Sequence, residues 1–171
     1  DMSSETSIIG KLKAAPFQVD EVDYLKRGYH VEARLNENQV RDFARAMLDA
    51  GFFLDFVTAV HVTSGFQIVY QFAHFDETLR VNAKAMTGDK GEIPTISDIY
   101  QGADWHERET HDFYGVVFTG HHDLRTLLLS EEDGDLKPLL KSAEKLVSVE
   151  TITRKSGEDA EKKPAKKTKE E

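Results

Sequence analysis

Histidines, carboxylates and arginines are concentrated in one short part of this chain, which makes several kinds of chemistry possible there. The part reads Trp105-His106-Glu107-Arg108-Glu109-Thr110-His111-Asp112-Phe113-Tyr114-Gly115 and, two residues later, Phe118-Thr119-Gly120-His121-His122-Asp123-Leu124-Arg125. Imidazoles and carboxylates can bind a metal ion, and Glu107, Glu109 or a histidine can act as a general acid or base. Aromatic and arginine side chains dominate protein–protein interfaces. The segment must therefore be solvated, paired within the chain, or bound to a partner.

The spacing of the histidines argues against a metal site of the zinc-protease type. Such a site needs two histidines four residues apart on one helix face, whereas His106 and His111 are five residues apart and project to different sides. His121 and His122 are adjacent, so at most one of them joins a given site. A metal-dependent enzyme that uses His106, His111 and His121 stays open as an alternative, and it predicts a pocket where these imidazoles converge.

Sequence motifs of several enzyme classes are absent. The chain has no G-x-S-x-G nucleophile elbow, no G-x-x-x-x-G-K-[ST] phosphate loop and no G-x-G-x-x-G dinucleotide fingerprint. It contains no cysteine, which excludes disulfides, thiol nucleophiles and a thiolate-ligated iron–sulfur cluster held by this chain. Acid–base catalysis and protein recognition remain as roles for the charged segment.

Length and charge limit the class of protein and its partners. The chain has 171 residues and a formal net charge of −9, which is typical of one acidic domain. Because an acidic protein repels phosphate backbones, we expect no nucleic-acid partner. No apolar run approaches the roughly 20 residues of a membrane-spanning helix, and the first residues lack the pattern of a secretory signal. We therefore expect the cytosol or a cytosol-facing assembly as the location.

The elements that position the charged segment are predicted from apolar periodicity. Helical spacing predicts a helix over 38–50, with a capping box formed by Asn36 and Gln39 and a stop at Gly51. Alternation of apolar and polar residues predicts strands at 29–35, 54–62, 66–72 and 79–85. The last three strands form an antiparallel meander, and the helix covers its apolar face. The predicted fold class is α+β, a two-layer sandwich of a mostly antiparallel or mixed sheet covered by helices.

A second helix is predicted to lead into the charged segment. It begins at Pro94 and ends at Gly115, with an apolar face in its first half. Helical spacing places Arg108 one turn before Asp112, so we expect these two side chains to form an ion pair. Shorter predictions are a strand at 116–118, a turn or short helix at 123–129 and a helix at 139–149.

The chain is predicted to divide into three parts. These are an N-terminal helix or lead-in at 1–29, an α+β domain at 30–150 whose C-terminal part is largely irregular, and a charged tail at 151–171. From residue 154 the sequence lacks apolar periodicity and cannot offset the entropy of ordering, so we expect 154–171 to be disordered. A lysine-rich tail can contact an anionic membrane or RNA, but a solvated tail is the simpler interpretation.

The charged segment resembles the signature of a known family. The matching residues are Glu107-Arg108-Glu109, Asp112-Phe113-Tyr114-Gly115-Val116, Phe118, Gly120-His121 and Asp123-Leu124-Arg125. The pattern is similar to that of the 30 kDa subunit of respiratory complex I (NADH–quinone oxidoreductase). The same family includes the counterparts of that protein in energy-converting membrane-bound nickel–iron hydrogenases. An α+β body that precedes the signature is also similar to the family's layout.

The resemblance implies a non-catalytic structural and assembly subunit in the hydrophilic arm of a complex I-like membrane oxidoreductase, where it supports electron transfer coupled to ion translocation. It implies docking on the hydrogenase-like large (49 kDa-type) subunit, with a small iron–sulfur subunit in the same complex. No cofactor is expected in this chain, since the iron–sulfur clusters belong to partner subunits. The implied location is peripheral, on the cytoplasmic side of the membrane. The implied structural and interface residues are Glu107, Arg108, Glu109, Asp112, Phe113, Tyr114, Gly115, His121, Asp123, Leu124 and Arg125.

The chain departs from the family pattern in three places. His122 stands where family members usually have proline, and Thr126 stands where a second basic residue is usual. Family members often carry a downstream Gly-His-Pro-x-Arg-Lys segment that wraps the partner. Here the stretch 133–141 keeps at most Gly134, Pro138 and a lysine. These departures favour a divergent branch, such as a hydrogenase-type or other complex I-like assembly.

Docking on a partner predicts a feature of the isolated chain. We expect an exposed apolar patch around Phe113, Tyr114, Val116 and Phe118, larger than a monomer normally shows. The metal-enzyme alternative predicts convergent histidines instead. The positions of these side chains therefore discriminate between the two hypotheses.

Overall fold

The structure is a computed structural model that describes residues 9–10, 12, 15–88 and 90–152. Within these residues, seven strands form a five-stranded sheet and a two-stranded sheet. The strands are β1 (Gln18–Glu21), β2 (Val31–Leu35), β3 (Phe52–Val62), β4 (Gly65–His74), β5 (Arg80–Met86), β6 (Glu92–Pro94) and β7 (Val117–Thr119). The helices are α1 (Tyr24–Arg27), α2 (Val40–Asp49) and α3 (Ala103–Tyr114), with 3-10 turns at Glu37–Gln39, Glu131–Asp133 and Ala143–Lys145.

The large sheet is mixed, in the order β1-β2-β5-β4-β3. Strands β3, β4 and β5 form the predicted antiparallel meander, and β2 pairs with β5 in parallel. The parallel pair arises because the chain leaves β2 through α2 and returns beside it only with β5, the last strand of the meander. The predicted α+β class, with a mixed sheet covered by helices, is confirmed.

Helix α2 begins and ends as the sequence predicts. Asn36 and Gln39 form the capping box, since each side chain accepts a hydrogen bond from the other's backbone N–H. After the helix, Gly51 takes the left-handed conformation with φ of 85°. The face toward the sheet consists of Val40, Phe43, Ala44 and Met47, all buried. Helical spacing also puts Leu48 beside these residues, but its side chain is 47% exposed because it lies at the edge of this stripe.

One hydrophobic core joins the two sheets and α2. The Phe43 ring lies 6.0 Å from Phe72, and the Phe72 ring lies 5.5 Å from Tyr100. The Tyr100 hydroxyl donates a hydrogen bond to the backbone carbonyl of Phe52 at 3.0 Å. The same core includes Ile93, Ile96, Val116 and Phe118. Because each large apolar side chain contributes roughly 1.5–3 kcal/mol on burial, this core fixes the small sheet and the start of α3.

The second predicted helix is shorter at its N-terminus than its apolar spacing indicates. Pro94 ends β6, which pairs in parallel with β7, and Thr95 donates its N–H to the carbonyl of Thr119 at 3.0 Å. These contacts hold residues 92–95 extended, and turns follow before α3 begins at Ala103. The predicted end is confirmed, since Gly115 has φ of 79°. The short strand predicted near 116–118 is also confirmed as β7.

The residues after β7, here named the C-terminal extension (120–152), are largely irregular, as predicted. The helix predicted at 139–149 is wrong apart from a short 3-10 turn and its last residue, where helical residues 149–152 begin, and the residues at 123–129 form no helix. Its backbone groups form hydrogen bonds with other elements instead. The N–H of Leu139 donates to the carbonyl of Phe113, and the carbonyl of Val147 accepts the N–H of Thr63. These bonds lead the extension from α3 to the β3–β4 hairpin.

Parts of the domain division stay predictions. The expected disorder of 154–171 lies outside the described residues. Strand β1 pairs with β2, so the large sheet includes residues on the N-terminal side of the predicted boundary at residue 30. Within the described ranges, no helix combines the length and apolar character needed to cross a bilayer.

Candidate functional site

The signature residues of α3 hold the first part of the C-terminal extension. Asp104, Arg108 and Asp112 follow one another at intervals of one helical turn, so they share one face of α3. This face contacts residues 121–129, here named the strap. Asp104 contacts the beginning of the strap, Arg108 its middle and Asp112 its end. The strap therefore runs alongside α3 in the same direction as the helix.

Asp112 binds the end of the strap through the backbone. It is fully buried, and its Oδ2 accepts N–H groups from Leu127 at 2.8 Å, Leu128 at 2.8 Å and Leu129 at 3.2 Å. Burial opposes ionisation, but the three N–H donors outweigh it and lower the pKa of Asp112 below its ordinary value. The residue is thus an ionised carboxylate that fixes three consecutive peptide groups.

Arg108 binds the middle of the strap, also through the backbone. Its Nε donates to the carbonyl of Arg125 at 3.1 Å, and its Nη2 donates to the carbonyl of Thr126 at 2.9 Å. The predicted ion pair between Arg108 and Asp112 is therefore wrong. The guanidinium instead donates to backbone carbonyls of the strap, and the carboxylate accepts the backbone N–H groups that follow them.

Glu107 lies on the buried face of α3 and fixes the loop that follows β6. It is fully buried, its Oε1 accepts the N–H of Ile96 at 2.9 Å, and its Oε2 accepts the hydroxyl of Thr95. Burial, together with the nearby Asp104 and Asp98, raises the pKa of Glu107 to about 7 despite these two donors. Sequence reasoning missed Thr95 and Ile96, because nothing in their types marks them as partners of a distant carboxyl group.

His121 is the residue of the strap that reaches this buried carboxyl group. Its imidazole is fully buried, with Nε2 at 2.9 Å from Asp104 Oδ1 and 3.9 Å from Glu107 Oε2. Its Nδ1 accepts the backbone N–H of Asp123 at 3.1 Å. Because a ring nitrogen that accepts a hydrogen bond carries no proton, this contact assigns the proton of the neutral ring to Nε2. In the described part of the chain neither Nε2 nor Asp104 Oδ1 has a hydrogen-bond partner, so these two atoms are in contact without forming a hydrogen bond.

The donor atoms of Asp104, His121 and His122 lie within 4.8 Å of one another, yet their chemistry does not fit a metal ion. A metal ion held by both histidines needs the in-plane lone pairs of the two rings to converge on one point. The rings of His121 and His122 are also stacked, 5.0 Å apart and within 10° of parallel. Lone pairs that lie in two parallel planes cannot both point at one ion between them.

The alternative based on three converging histidines is not favoured by the structure. His111 has its Nδ1 at 2.8 Å from the carbonyl of Val116, at the end of α3. Neither His106 nor His111 belongs to the donor cluster around His121, within the residues that the structure describes. Two cavities of about 320 and 240 Å³ lie elsewhere, and the signature residues line neither.

The predicted apolar patch is wrong in its position. Val116 and Phe118 are buried in the core, and Phe113 and Tyr114 are only partly exposed. The Tyr114 ring packs edge-on against Phe66, with ring centroids 6.1 Å apart. The large apolar side chains exposed in this part of the chain are Trp105, Val117, Leu128, Leu136, Leu139 and Leu140. Trp105 points outward because the core face of α3 consists of Ala103, Glu107 and Thr110.

The other signature residues have simpler positions. Glu109 is exposed on α3. Asp123 and Arg125 form a bidentate ion pair on the surface, with both contacts at 2.7 Å. Leu124 is partly buried against the core. At Gly115, a Cβ would lie 3.4 Å from the Lys137 side chain, which packs across the end of α3.

This geometry agrees with the match to a protein family. Residues 33–146 match the model of the respiratory-chain NADH dehydrogenase 30 kDa subunit. The chain belongs to this family. The matched range begins inside β2 and ends in the C-terminal extension, so it contains α3, the strap and every signature residue.

Relatives match over a shorter stretch. An NADH-quinone oxidoreductase subunit from Sinorhizobium medicae is 44% identical over 63 residues, which are 37% of this chain and 31% of that protein. The protein of the same name from Rhizobium johnstonii is 46% identical over 63 residues, or 32% of its length. The match thus spans about a third of each relative.

Two solved structures have the same fold. A trypsin-resistant fragment of Nqo5 aligns with a TM-score of 0.58 and 20% identity, covering 70% of this chain and 98% of the fragment. A chain of the membrane-bound sulfane sulfur reductase, an archaeal respiratory membrane complex, aligns with a TM-score of 0.68 and 24% identity. That alignment covers 99% of this chain and 96% of the other.

Proposed function

We propose that this chain is a non-catalytic structural and assembly subunit of a complex I-like membrane oxidoreductase, either an NADH–quinone oxidoreductase or a related energy-converting hydrogenase. The observation that carries the proposal is where the signature side chains bind. Glu107, Arg108 and Asp112 bind backbone groups of their own chain. Side chains used in this way shape a surface, whereas catalysis needs groups that face a substrate.

The surface shaped by these contacts has the character of an interface. We name Trp105, Leu128, Leu136, Leu139 and Leu140 the docking surface; these side chains are 67%, 60%, 57%, 48% and 45% exposed. Leu128 belongs to the strap segment held by Asp112, and Leu139 is tied to the end of α3. Exposed apolar side chains on a fixed backbone are typical of a surface that a partner covers. We propose the hydrogenase-like large subunit as that partner.

The remaining features of the proposal follow from the family and the composition. A chain without cysteine cannot ligate an iron–sulfur cluster by thiolates, so we place the clusters in the large subunit's neighbours, among them a small iron–sulfur subunit. We propose a peripheral location on the cytoplasmic side of the membrane, with no cofactor bound by this chain. Any contribution to ion translocation is then indirect, through the integrity of the complex.

A pull-down from native membranes tests the proposal. The tagged chain is solubilised in mild detergent with its partners, which are identified by mass spectrometry. We expect a hydrogenase-like large subunit together with iron–sulfur subunits, and their identity separates a respiratory complex from a hydrogenase. Recovery of the chain alone, with stoichiometric zinc or manganese, would overturn the proposal in favour of the metal-enzyme alternative.

Two matched variants locate the docking surface. Leu136→Ser removes an exposed leucine of the C-terminal extension, and Leu25→Ser removes one from α1, where the side chain is 92% exposed. We expect the large subunit to be lost or depleted with Leu136→Ser and retained with Leu25→Ser. Circular dichroism checks that both variants are folded. Equal recovery of the large subunit with both variants, or loss only with Leu25→Ser, contradicts the location.

A further inference from the structure

The cavity of about 240 Å³ lies on the face of the large sheet that points away from α2. Along β5, Asn82 and Lys84 alternate with Val81 and Ala83, which belong to the hydrophobic core under α2. Because neighbouring side chains of a strand point to opposite faces, Asn82 and Lys84 lie on the outer face. Val69 of β4 is the register partner of Lys84 and shares that face. The outer face of the sheet is therefore the floor of the cavity.

The charges around this floor leave one guanidinium group over. Glu32 accepts hydrogen bonds from Lys84 at 2.7 Å and from Arg34 at 3.0 Å. Arg34 also binds Asp20 at 3.1 Å, so two carboxylates balance two cations. Arg27, at the end of α1, lines the cavity and takes part in none of these contacts. Although the chain has a net charge of −9, this cavity therefore presents positive charge and N–H donors to an anion.

Asn82 adds a hydrogen-bond acceptor to the floor. Its Nδ2 donates to Gln71 Oε1 at 2.8 Å, whereas its Oδ1 has no hydrogen-bond partner among the residues that the structure describes. Asn82 is 5% exposed, and a buried acceptor without a donor is unfavourable. A ligand O–H group that donates to Oδ1 removes this cost. Apolar side chains complete the lining, namely Val60, Val69 and Ile152.

We propose that this cavity binds a small hydroxycarboxylate with a short apolar chain. Arg27 and Lys84 bind the carboxylate, the hydroxyl group donates to Asn82, and the apolar chain packs against Val60 and Val69. The planar guanidinium of arginine matches the two oxygens of a carboxylate, and lysine has a third N–H group beyond the two that bind Glu32 and Tyr29. A concave site with apolar walls and a few polar groups is typical of sites for small molecules.

A titration of the full chain, followed by the NMR shifts of its backbone amides, tests the site. The probe is 2-hydroxyhexanoate, and three related compounds each lack one of its features. The diol 1,2-hexanediol lacks the charge, hexanoate lacks the hydroxyl group, and lactate lacks the longer apolar chain. We expect the probe to give saturable shifts at the amides of Arg27, Asn82 and Lys84. All three related compounds should bind more weakly, the uncharged diol by about tenfold or more.

Two matched variants test the role of Arg27. Arg27→Gln removes the guanidinium from the cavity, whereas Arg45→Gln removes an exposed one from α2, on the other side of the sheet. We expect Arg27→Gln to weaken binding of 2-hydroxyhexanoate by about tenfold and Arg45→Gln to retain it. Circular dichroism checks that both variants are folded.

Three results would overturn the site. They are the absence of saturation with 2-hydroxyhexanoate, binding of any related compound as tightly as the probe, and equal affinity of the two variants. The outcome is independent of the docking proposal, because the residues of the docking surface do not line this cavity.

Discussion

The large sheet with α2 and the pair formed by α3 and the strap are stabilised in different ways. The sheet and α2 pack through apolar rings, such as Phe43 against Phe72 at 6.0 Å. The strap is held by charged side chains on backbone groups, namely Asp112 on three N–H groups and Arg108 on two carbonyls. Apolar packing tolerates a change of shape, whereas each polar contact needs one partner in one place. The strap is therefore the more specific and the more fragile of the two regions.

Within α3, two buried carboxyl groups differ in the direction in which their surroundings shift the pKa. Asp112 accepts three N–H groups, and its pKa is lowered although burial acts against ionisation. Glu107 accepts one N–H group and one hydroxyl while facing two other acids, and its burial raises its pKa to about 7. Burial is the largest influence on both groups, and the hydrogen-bond donors outweigh it at Asp112 but not at Glu107.

Removal of a core ring should have the largest effect. In Phe72→Ala, we expect the free energy of unfolding to fall by about 3–5 kcal/mol, because the ring is 1% exposed and its loss leaves a cavity between α2 and the sheet. Urea unfolding followed by circular dichroism measures the change. Phe75→Ala is the control, because the Phe75 ring is 79% exposed and its removal should lower the free energy of unfolding far less. Similar losses in both variants would contradict a stabilising core at Phe72.

Asp112→Ala should affect the strap more than the sheet. Three backbone N–H groups lose their acceptor, which costs about 3 kcal/mol locally because donors left without a partner keep their desolvation penalty. Hydrogen exchange should then rise at Leu127–Leu129 well above its rise in the strands. Asp112→Asn keeps a neutral acceptor and should give an intermediate result. Uniform loss of protection across the sheet and the strap would show that the two regions unfold as one.

The sequence predicts the first region better than the second. The meander, α2 with its capping box and the end of α3 at Gly115 follow from apolar periodicity and from local turn chemistry, which operate over a few residues. The start of α3 was wrong because β6 binds β7, a pairing between segments far apart in the sequence. Irregular segments such as 139–149 have their backbone partners in other elements, so local propensity cannot find them.

Prediction of the site from the sequence meets the same limit. The signature types mark Glu107, Arg108 and Asp112 as important, but their partners are backbone atoms, which carry no signal in the side-chain sequence. The ion pair between Arg108 and Asp112 was expected from their helical spacing, but both side chains bind the strap instead. One signal for a polar contact face was available in the sequence, because Asp104 lies one turn before Arg108 on the same face of α3. The apolar patch was misplaced because Val116 and Phe118 face the core, although Val117 between them is exposed.

Arg108→Ala should have a moderate effect on stability and a larger one on assembly. Its two hydrogen bonds come from a charged, partly exposed group, so we expect a loss of about 1.5–2 kcal/mol in the free energy of unfolding. Because these bonds position the middle of the strap, recovery of the large subunit in the pull-down should fall. Arg108→Lys keeps the charge but loses the planar guanidinium that donates both hydrogen bonds, so it should rescue assembly in part. Normal assembly with lost turnover in Arg108→Ala would contradict a positioning role.

The smallest effect is expected at the cap of α2, and it gives the sharpest comparison between the regions. Asn36→Ala removes the side-chain acceptor for the N–H of Gln39 and should lower the free energy of unfolding by about 1 kcal/mol. Asn36→Ser keeps a side-chain acceptor and should recover most of that loss. Since Asn36 lies in the region held by apolar packing, protection of Leu127–Leu129 should fall only by the global amount. An excess loss of protection in the strap would mean that the cap and α3 are coupled through the core, so that polar contacts in the strap depend on packing as well.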